Sequence, residues 1–523
     1  MYGYRGVLPP EHFNMARYCL ETGETRPHDK IGLIVIRSAE DPSDTETWTY
    51  GEIEDAVLRI AAGLHADGLE AGDRLVIRLA NTSDYALLFF GAIAAGLVPL
   101  PASSVLSARE VNFFLQDCGA RALAMTPELP LGDIPKSIKT YTPADVRSLR
   151  SRSEPAVYAE THSDDPALLI YTSGTTARPK GVLHAQRSVW GRRPMYEGWY
   201  GMTAQDRMLH AGAFNWTYTL GTGLCDPWIN GATALVYTGE KDPSVWLRLM
   251  AQHEATIFAA VPTLYRQILK YGDLGAGMPP TLRHGLTAGE TLPQDLAREW
   301  REKTGTTLYE ALGMSEVSTY ISSSPSVPPK PGKVGKPQQG REVVILPTDG
   351  GTEPLPRDEE GLIAVHRTDP ALMLGYWNRP EEEQAVMRGD WFCGGDIGAM
   401  DEDGYITHLG RNDDLMNALG YRVSPMEVEQ VLASHPDVAE VAVTEIGVRR
   451  NVSVIGAFVV MRDGADPDKD TLQALAQDKL ADYKMPREYV FLDALPRTPN
   501  GKVKRGELRR TYQRNATQNG HAL

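Results

Sequence analysis

The period of the apolar residues constrains this chain more than any other feature. Over the first 160 residues, short apolar runs alternate with stretches whose apolar positions recur at helical spacing. Ile31-Gly32-Leu33-Ile34-Val35-Ile36 reads as a strand. Tyr50 to Ala66 places Ile53, Ala56, Val57, Ile60 and Leu64 on one helical face, and Leu75-Val76-Ile77 reads as a strand again. The alternation predicts an α/β fold, layered, with largely parallel strands. The longest greasy run, Ala86 to Leu100, carries two glycines and a proline and falls short of the roughly 20 residues a membrane span needs. It reads as a core helix followed by a buried strand, and no catalytic constellation stands out in this region.

At 523 residues, 42% apolar and 23% charged, the chain has enough core for two or more domains. A formal charge of -15 argues against a bulk nucleic-acid binder, which needs an excess of Lys and Arg. Cys19, Cys118, Cys225 and Cys393 are scattered without metal-ligand spacing, which fits a reducing cytoplasm and no structural zinc. Met1 to Leu20 lacks the basic-then-apolar plan of a signal peptide, and the tail from Asn515 to Leu523 reads as disordered.

After the apolar run Ala167-Leu168-Leu169-Ile170, the chain breaks into Tyr171-Thr172-Ser173-Gly174-Thr175-Thr176-Ala177-Arg178-Pro179-Lys180-Gly181. Small residues let backbone N–H groups approach an anion, hydroxyls add neutral donors, and Lys180 adds a cation, so the stretch reads as a phosphate-holding loop leaving a strand. It is not a Walker A loop, whose glycine spacing is absent and whose following helix Pro179 would prevent. Composition alone favours a mobile surface loop rich in turn residues.

This eleven-residue string resembles the signature loop of the acyl-adenylate-forming enzymes, and four further stretches match that family in order over nearly the whole chain. The resemblance implies two-step chemistry. A carboxylate oxygen attacks the α-phosphorus of ATP and displaces pyrophosphate; a thiol then takes the acyl group and releases AMP. It implies ATP contacts for Thr172, Ser173, Gly174, Thr175, Thr176 and Lys180. Further along, Thr287-Ala288-Gly289-Glu290-Thr291 corresponds to the segment beside the adenine, assigning Gly289, Glu290 and Thr291. Leu308 to Glu316 corresponds to the segment under the nucleotide, assigning Glu310, Ala311, Leu312, Ser315 and, as Mg2+ ligand, Glu316.

The acyl pocket falls by position on Phe214, Asn215 and Trp216, with Gly313 and Met314. Amino-acid-activating relatives place an aspartate after the aromatic; neutral Asn215 makes an ammonium-bearing substrate less suitable. Acetate-specific relatives carry tryptophan at the position of Gly313, so glycine implies an acid larger than propionate, aromatic or medium-chain. Read without the family, Phe214 and Trp216 are core residues before they are pocket residues.

By the same resemblance, Asp396, in Gly395-Asp396-Ile397-Gly398, corresponds to the aspartate that holds both ribose hydroxyls, and Arg411 would touch ribose or phosphate. Asp401 to Gly404 reads as a hairpin turn rather than a calcium loop. Asp413 falls at the family's hinge, which sets the expected domains at 1–410, hinge 411–414 and 415–523: a large N-terminal layered α/β domain and a small mobile α/β domain. In the latter, Met426 to Ser434 and Asp470 to Leu480 read as helices, and Val438 to Val443 and Val454 to Val460 as strands. Gly420, Tyr421 and Arg422 resemble the lining of the pantetheine tunnel. Lys502, after Asn500-Gly501, corresponds to the lysine that binds the carboxylate and α-phosphate region in the first step; composition alone makes it a solvated residue after a turn. Lys504, Arg505, Arg509, Arg510 and Arg514 form a local basic patch that suits the CoA phosphates or a solvated helix equally.

The function implied is an ATP-dependent acid:CoA ligase using ATP, Mg2+ and CoA, with the acid and CoA as partners, no nucleic acid, no membrane span, a homodimer as a compatible assembly and a cytoplasmic setting. An enzyme loading a carrier-protein phosphopantetheine and a non-catalytic nucleotide-binding regulator are the alternatives. Retention of Lys180, Glu316, Asp396 and Lys502 together weighs against the regulator.

Overall fold

The computed structural model describes residues 2–129, 134–152, 154–172, 179–274, 278–412, 416–418, 421–449, 452–466, 468–480, 484–497 and 503–518. The chain divides into two compact units: Met1–Val343 with Val365–Gly394 and Gly404–Ile406, and Val344–Ala364 with Gly395–Asp403 and Thr407–Leu523.

The first unit is built on a mostly parallel sheet. Ile31–Ile36, Thr233–Tyr237, Arg207–His210, Ile257–Ala260, His284–Ala288 and Thr307–Met314 lie side by side in that order, each pair parallel. Antiparallel strands close both edges: Thr45–Thr49 on one, Ser318–Ser322 and then Lys336–Pro337 on the other. Of the parallel strands, Ile31–Ile36, Thr233–Tyr237 and Ile257–Ala260 are almost wholly buried, which is why they read as near-continuous apolar runs, whereas Thr307–Met314 is mostly half-buried.

Helix Tyr50–Ala66 forms over the residues its periodicity marks, and a capping box between Thr49 and Glu52 starts it. It packs with helix Ser83–Ala94, every residue of which is buried; strand Val98–Pro101 follows. That burial explains the greasy run without a membrane. No helix among the described residues is long and apolar enough to cross one. Helices Val245–Gln252, Pro262–Tyr271 and Gln294–Thr304 contribute Trp246, Tyr265 and Trp300 to a second core cluster. Consecutive parallel strands therefore deliver their carboxyl ends, at His210, Ala260, Ala288 and Met314, to one edge of the sheet, the edge at which α/β proteins bind ligands.

In the second unit, Val438–Arg449 pairs antiparallel with Val452–Met461, and Glu488–Phe491 lies parallel on the far side of the latter. Helices Pro425–Ala433 and Lys469–Lys479 bury Val428, Leu432, Leu472 and Ala476 in the same core. The two strands run longer than their apolar stretches indicate, because cross-strand pairing carries the ladder into polar sequence. Strand Ile406–Arg411 pairs with Trp391–Met400, so Asp401 to Gly404 is a hairpin turn, with Gly404 at φ +82°.

Candidate active site

The strand that enters the signature loop, Pro166–Thr172, and the strand that leaves it, Lys180–Ala185, are antiparallel partners with Thr172 opposite Lys180. The loop is thus the connection of a β-hairpin, and Lys180 stands at its exit. Ser173, Gly174, Thr175 and Thr176 lie outside the described residues. Strand Gly375–Tyr376 adds to the other side of Lys180–Ala185. It brings the Tyr376 ring 5.0 Å from the Lys180 ammonium, which is also ion-paired with Glu382. The Tyr376 hydroxyl in turn donates to Glu316 Oε1 at 2.7 Å.

Ser315 and Glu316 occupy the turn between strands Thr307–Met314 and Ser318–Ser322. Three features hold that turn. The Met373 N–H donates to the Glu316 carbonyl at 2.8 Å. The buried ring of His184 hydrogen-bonds the Ser315 backbone, and burial pushes its pKa down to about 4, so it is neutral at physiological pH. Ser318, at φ +65°, meets the guanidinium of Arg192 through its hydroxyl, and Arg192 is itself clamped by Asp226.

Glu310, Ala311, Leu312, Gly313 and Met314 line up along the preceding strand. Glu310 accepts the Leu292 N–H at 2.9 Å, and burial pushes its pKa up to about 8, so it carries a proton at neutral pH. Glu290 accepts from both the backbone and the hydroxyl of Thr263, at the start of helix Pro262–Tyr271. Gly289 needs its glycine twice: φ is +88°, and a Cβ would lie 2.8 Å from the Trp216 ring. The Thr287–Thr291 segment and the Trp216 ring therefore touch. Phe214, by contrast, is buried against Tyr85 in the core. Gly313 has a packing reason for being glycine, since a Cβ there would come 2.5 Å from the Ser318 carbonyl oxygen and 2.6 Å from Thr319 Cα. Met314 lies against Gly394, where a Cβ would meet its sulfur.

In the second unit, Asp396 is buried, with His408 Nε2 3.1 Å from Oδ1 and Arg411 4.0 Å from Oδ2. Gly395, at φ +91°, leaves room for the Arg411 guanidinium. In the basic patch, Arg505 pairs with Glu429 and Arg509 bonds the Thr444 hydroxyl, so both serve the unit's own packing.

With this geometry in place, the model of the AMP-binding enzyme family matches residues 20–377 and that of the AMP-binding enzyme C-terminal domain matches 427–502. The chain belongs to the AMP-binding enzyme family. Among curated AMP-binding enzymes it is 32% identical to the mitochondrial acyl-coenzyme A synthetase ACSM5 of Mus musculus, over 96% of this chain and 91% of that one. It is 30% identical to the benzoate–CoA ligase of Thauera aromatica, over 89% and 91%. The solved structure of ATP-bound MatB from Rhodopseudomonas palustris superposes with a TM-score of 0.86 at 27% identity, covering 96% of this chain and 99% of that one. The layered α/β architecture and the class of AMP-forming acid–CoA ligase agree with the expectation from the sequence. ATP and CoA are substrates of acyl-CoA ligases of this AMP-binding family.

Asp413, Gly420 and Lys502 lie outside the described residues; Tyr421 and Arg422 sit on strand Tyr421–Val423, paired with Met416–Ala418. The residues that sequence reasoning missed are the supports: Tyr376, Glu382, His184, Arg192 and His408. Tyr376 belongs to a two-residue strand, too short to show any period, and Arg192 and Asp226 are 34 positions apart with nothing in either neighbourhood to link them.

Proposed function

We propose that this AMP-binding enzyme activates an aromatic or medium-chain carboxylic acid, larger than propionate, to its acyl-adenylate and transfers it to CoA. The observation that carries the reading is the connected arrangement of Lys180, Tyr376 and Glu316 at the hairpin and the adjoining turn. Lys180 offers a cation to the ATP phosphates, and Ser315 a hydroxyl. Among the described residues no group of three or more His, Cys, Asp or Glu is placed to hold a metal. A single carboxylate with substrate phosphates and waters suits Mg2+, so Glu316 is assigned as its ligand, where the ion would offset phosphate charge.

The remaining assignments belong to the same proposal. Thr172, Ser173 to Thr176, Gly289 to Thr291 and Glu310 to Leu312 serve the nucleotide. Asp396 and Arg411 serve its ribose. Phe214, Asn215, Trp216, Gly313 and Met314 bound the acid. Lys502 neutralises charge as the first bond forms, Asp413 is the hinge within 411–414, and Gly420, Tyr421 and Arg422 line the CoA path. Four buried, unpaired cysteines support a reducing, cytoplasmic setting, and a homodimer is the proposed assembly.

The test is pyrophosphate release with Mg-ATP across acetate, medium-chain, benzoate-type, cinnamate-type and amino acids, with and without CoA. Turnover confined to one class of larger acid and dependent on CoA is expected; turnover with acetate alone, or with none, overturns the reading. Lys502→Ala separates the half-reactions: adenylation falls by about 10²- to 10³-fold, while thioester formation from supplied acyl-AMP persists.

A further inference from the structure

Lys180, the cation at the exit of the signature hairpin, already faces a carboxylate of the protein's own. The approach of that carboxylate is set locally. The Trp377 N–H donates to the Gly181 carbonyl at 2.7 Å, and Gly375–Tyr376 pairs with Leu183 and Val182, so the chain arrives alongside Lys180 and turns into helix Pro380–Val386. Glu381, Glu382 and Glu383 fill the first turn of that helix, as suits its positive end. Glu383 lies over Gly375, where a Cβ would meet its Oε2. Glu382 reaches back to the hairpin and forms the ion pair with the Lys180 ammonium. Among the described residues no other carboxylate pairs with Lys180.

The pair stands where a solute can reach it: the Lys180 side chain is 17% exposed and that of Glu382 32%. Two neighbours favour an exchange of partners. The face of the Tyr376 ring, 5.0 Å from the ammonium, attracts the charge without using its N–H donors, so the lysine keeps its place whichever anion those donors serve. Arg379 lies on the other side of the carboxylate, with Nε 4.0 Å from Glu382 Oε1, and is itself anchored by Asp117 Oδ1 at 3.0 Å. A carboxylate given up by Lys180 therefore keeps a cation beside it, and no charge is left unpaired.

Resting on the reading of Lys180 as a ligand of the ATP phosphates, we propose that Glu382 is a positioning residue that competes with those phosphates for the lysine. Glu382 holds the ammonium until a phosphate oxygen replaces its carboxylate, and Arg379 then retains the carboxylate. Only ion-pair partners are exchanged; no covalent bond changes and no proton moves. Binding needs the fraction of molecules in which Lys180 is released, so the apparent affinity for ATP is lower than the intrinsic one by that fraction. Glu382 thereby sets how tightly the hairpin holds its nucleotide without touching the nucleotide itself.

Calorimetric titration of the full chain with Mg-ATP and with adenosine, which lacks phosphates, tests the competition in the wild type, Glu382→Gln, Lys180→Met and the double variant. Glu382→Gln keeps the size and removes the charge. It is expected to tighten Mg-ATP about two- to fivefold, the scale on which a partly exposed ion pair contributes, and to leave adenosine within about 1.5-fold. With Lys180→Met in place, the same substitution is expected to change the Mg-ATP constant by less than about 1.5-fold. Arg379→Gln takes away the alternative partner and is expected to weaken Mg-ATP about twofold, an effect lost when Glu382 is also replaced. A merely structural role for Glu382 at the helix start would weaken both ligands or neither, which overturns the competition. So does a tightening that persists at full size without Lys180, because that is the effect of one negative charge fewer near a polyanion. Lys180→Met that binds Mg-ATP as the wild type does has a different signature: it removes the phosphate role of Lys180, and the proposal with it, whereas binding that depends on Lys180 but ignores Glu382→Gln removes the competition alone.

Discussion

Asp226→Asn tests the packing beneath the Ser315–Glu316 turn. Asp226 is fully buried and accepts from Arg192 Nε at 2.9 and 3.1 Å, from Arg192 Nη2 at 2.5 Å and from the Tyr200 hydroxyl at 2.7 Å. Asparagine keeps the volume and removes the charge, leaving a buried guanidinium uncompensated and one of its donors facing an amide. Breaking a buried pair from one side costs about 3–5 kcal/mol. With an unfolding entropy of about 2.1 cal/mol/K per residue, a unit of several hundred residues loses about 4–6 °C in melting temperature. Thermal unfolding followed by tryptophan fluorescence measures this directly, since Trp199 and Trp228 are buried in the same unit. Removing both charges with Arg192→Met and Asp226→Leu should recover part of the loss, because no unpaired charge then remains. A single variant that melts within 1 °C of the wild type, or a double variant that is worse than the single, would refute the reasoning.

Three further outcomes are expected. Tyr376→Phe removes a hydrogen bond to a carboxylate worth about 1.5–3 kcal/mol, so acid-dependent pyrophosphate release should fall about 10- to 150-fold if Glu316 works in the reaction; an unchanged rate removes Tyr376 from that role. Glu310 holds its proton up to about pH 8 when folded, against an ordinary carboxyl pKa of 4.5. Between those values the unfolded chain has released a proton that the folded chain keeps, so stability declines by up to about 1.4 kcal/mol per pH unit as pH rises, and levels off above about 8. Glu310→Gln should flatten that slope in urea midpoints measured from pH 5 to 9, and a slope equal to the wild type's would contradict it. Gly313→Ala should destabilise before it narrows the substrate range, because its Cβ meets the backbone of the returning strand; a variant that melts normally and loses only larger acids would show that the pocket alone sets this position.

The amino-acid order by itself determined a good deal. Helix Tyr50–Ala66 and strand Ile31–Ile36 begin and end where their apolar periods do, because each buries its face against neighbours close in the fold and a capping box marks the helix start. The signature string and the stretches around Glu316 and Asp396 could be singled out because each is a contiguous run that resembles the family's own. Their neighbours were not. Tyr376 reaches Glu316 across 60 positions, and Arg192 finds Asp226 across 34, through sheet register and side-chain direction that no local pattern encodes. The same holds for Gly313, which sequence alone presents as open space in a pocket. Only the close return of Ser318 and Thr319 decides that a Cβ has nowhere to go. Local spacing specifies which groups can do chemistry; long-range packing decides which of them are held, neutralised or left without partners, because those outcomes depend on what is brought within a few ångströms by the fold.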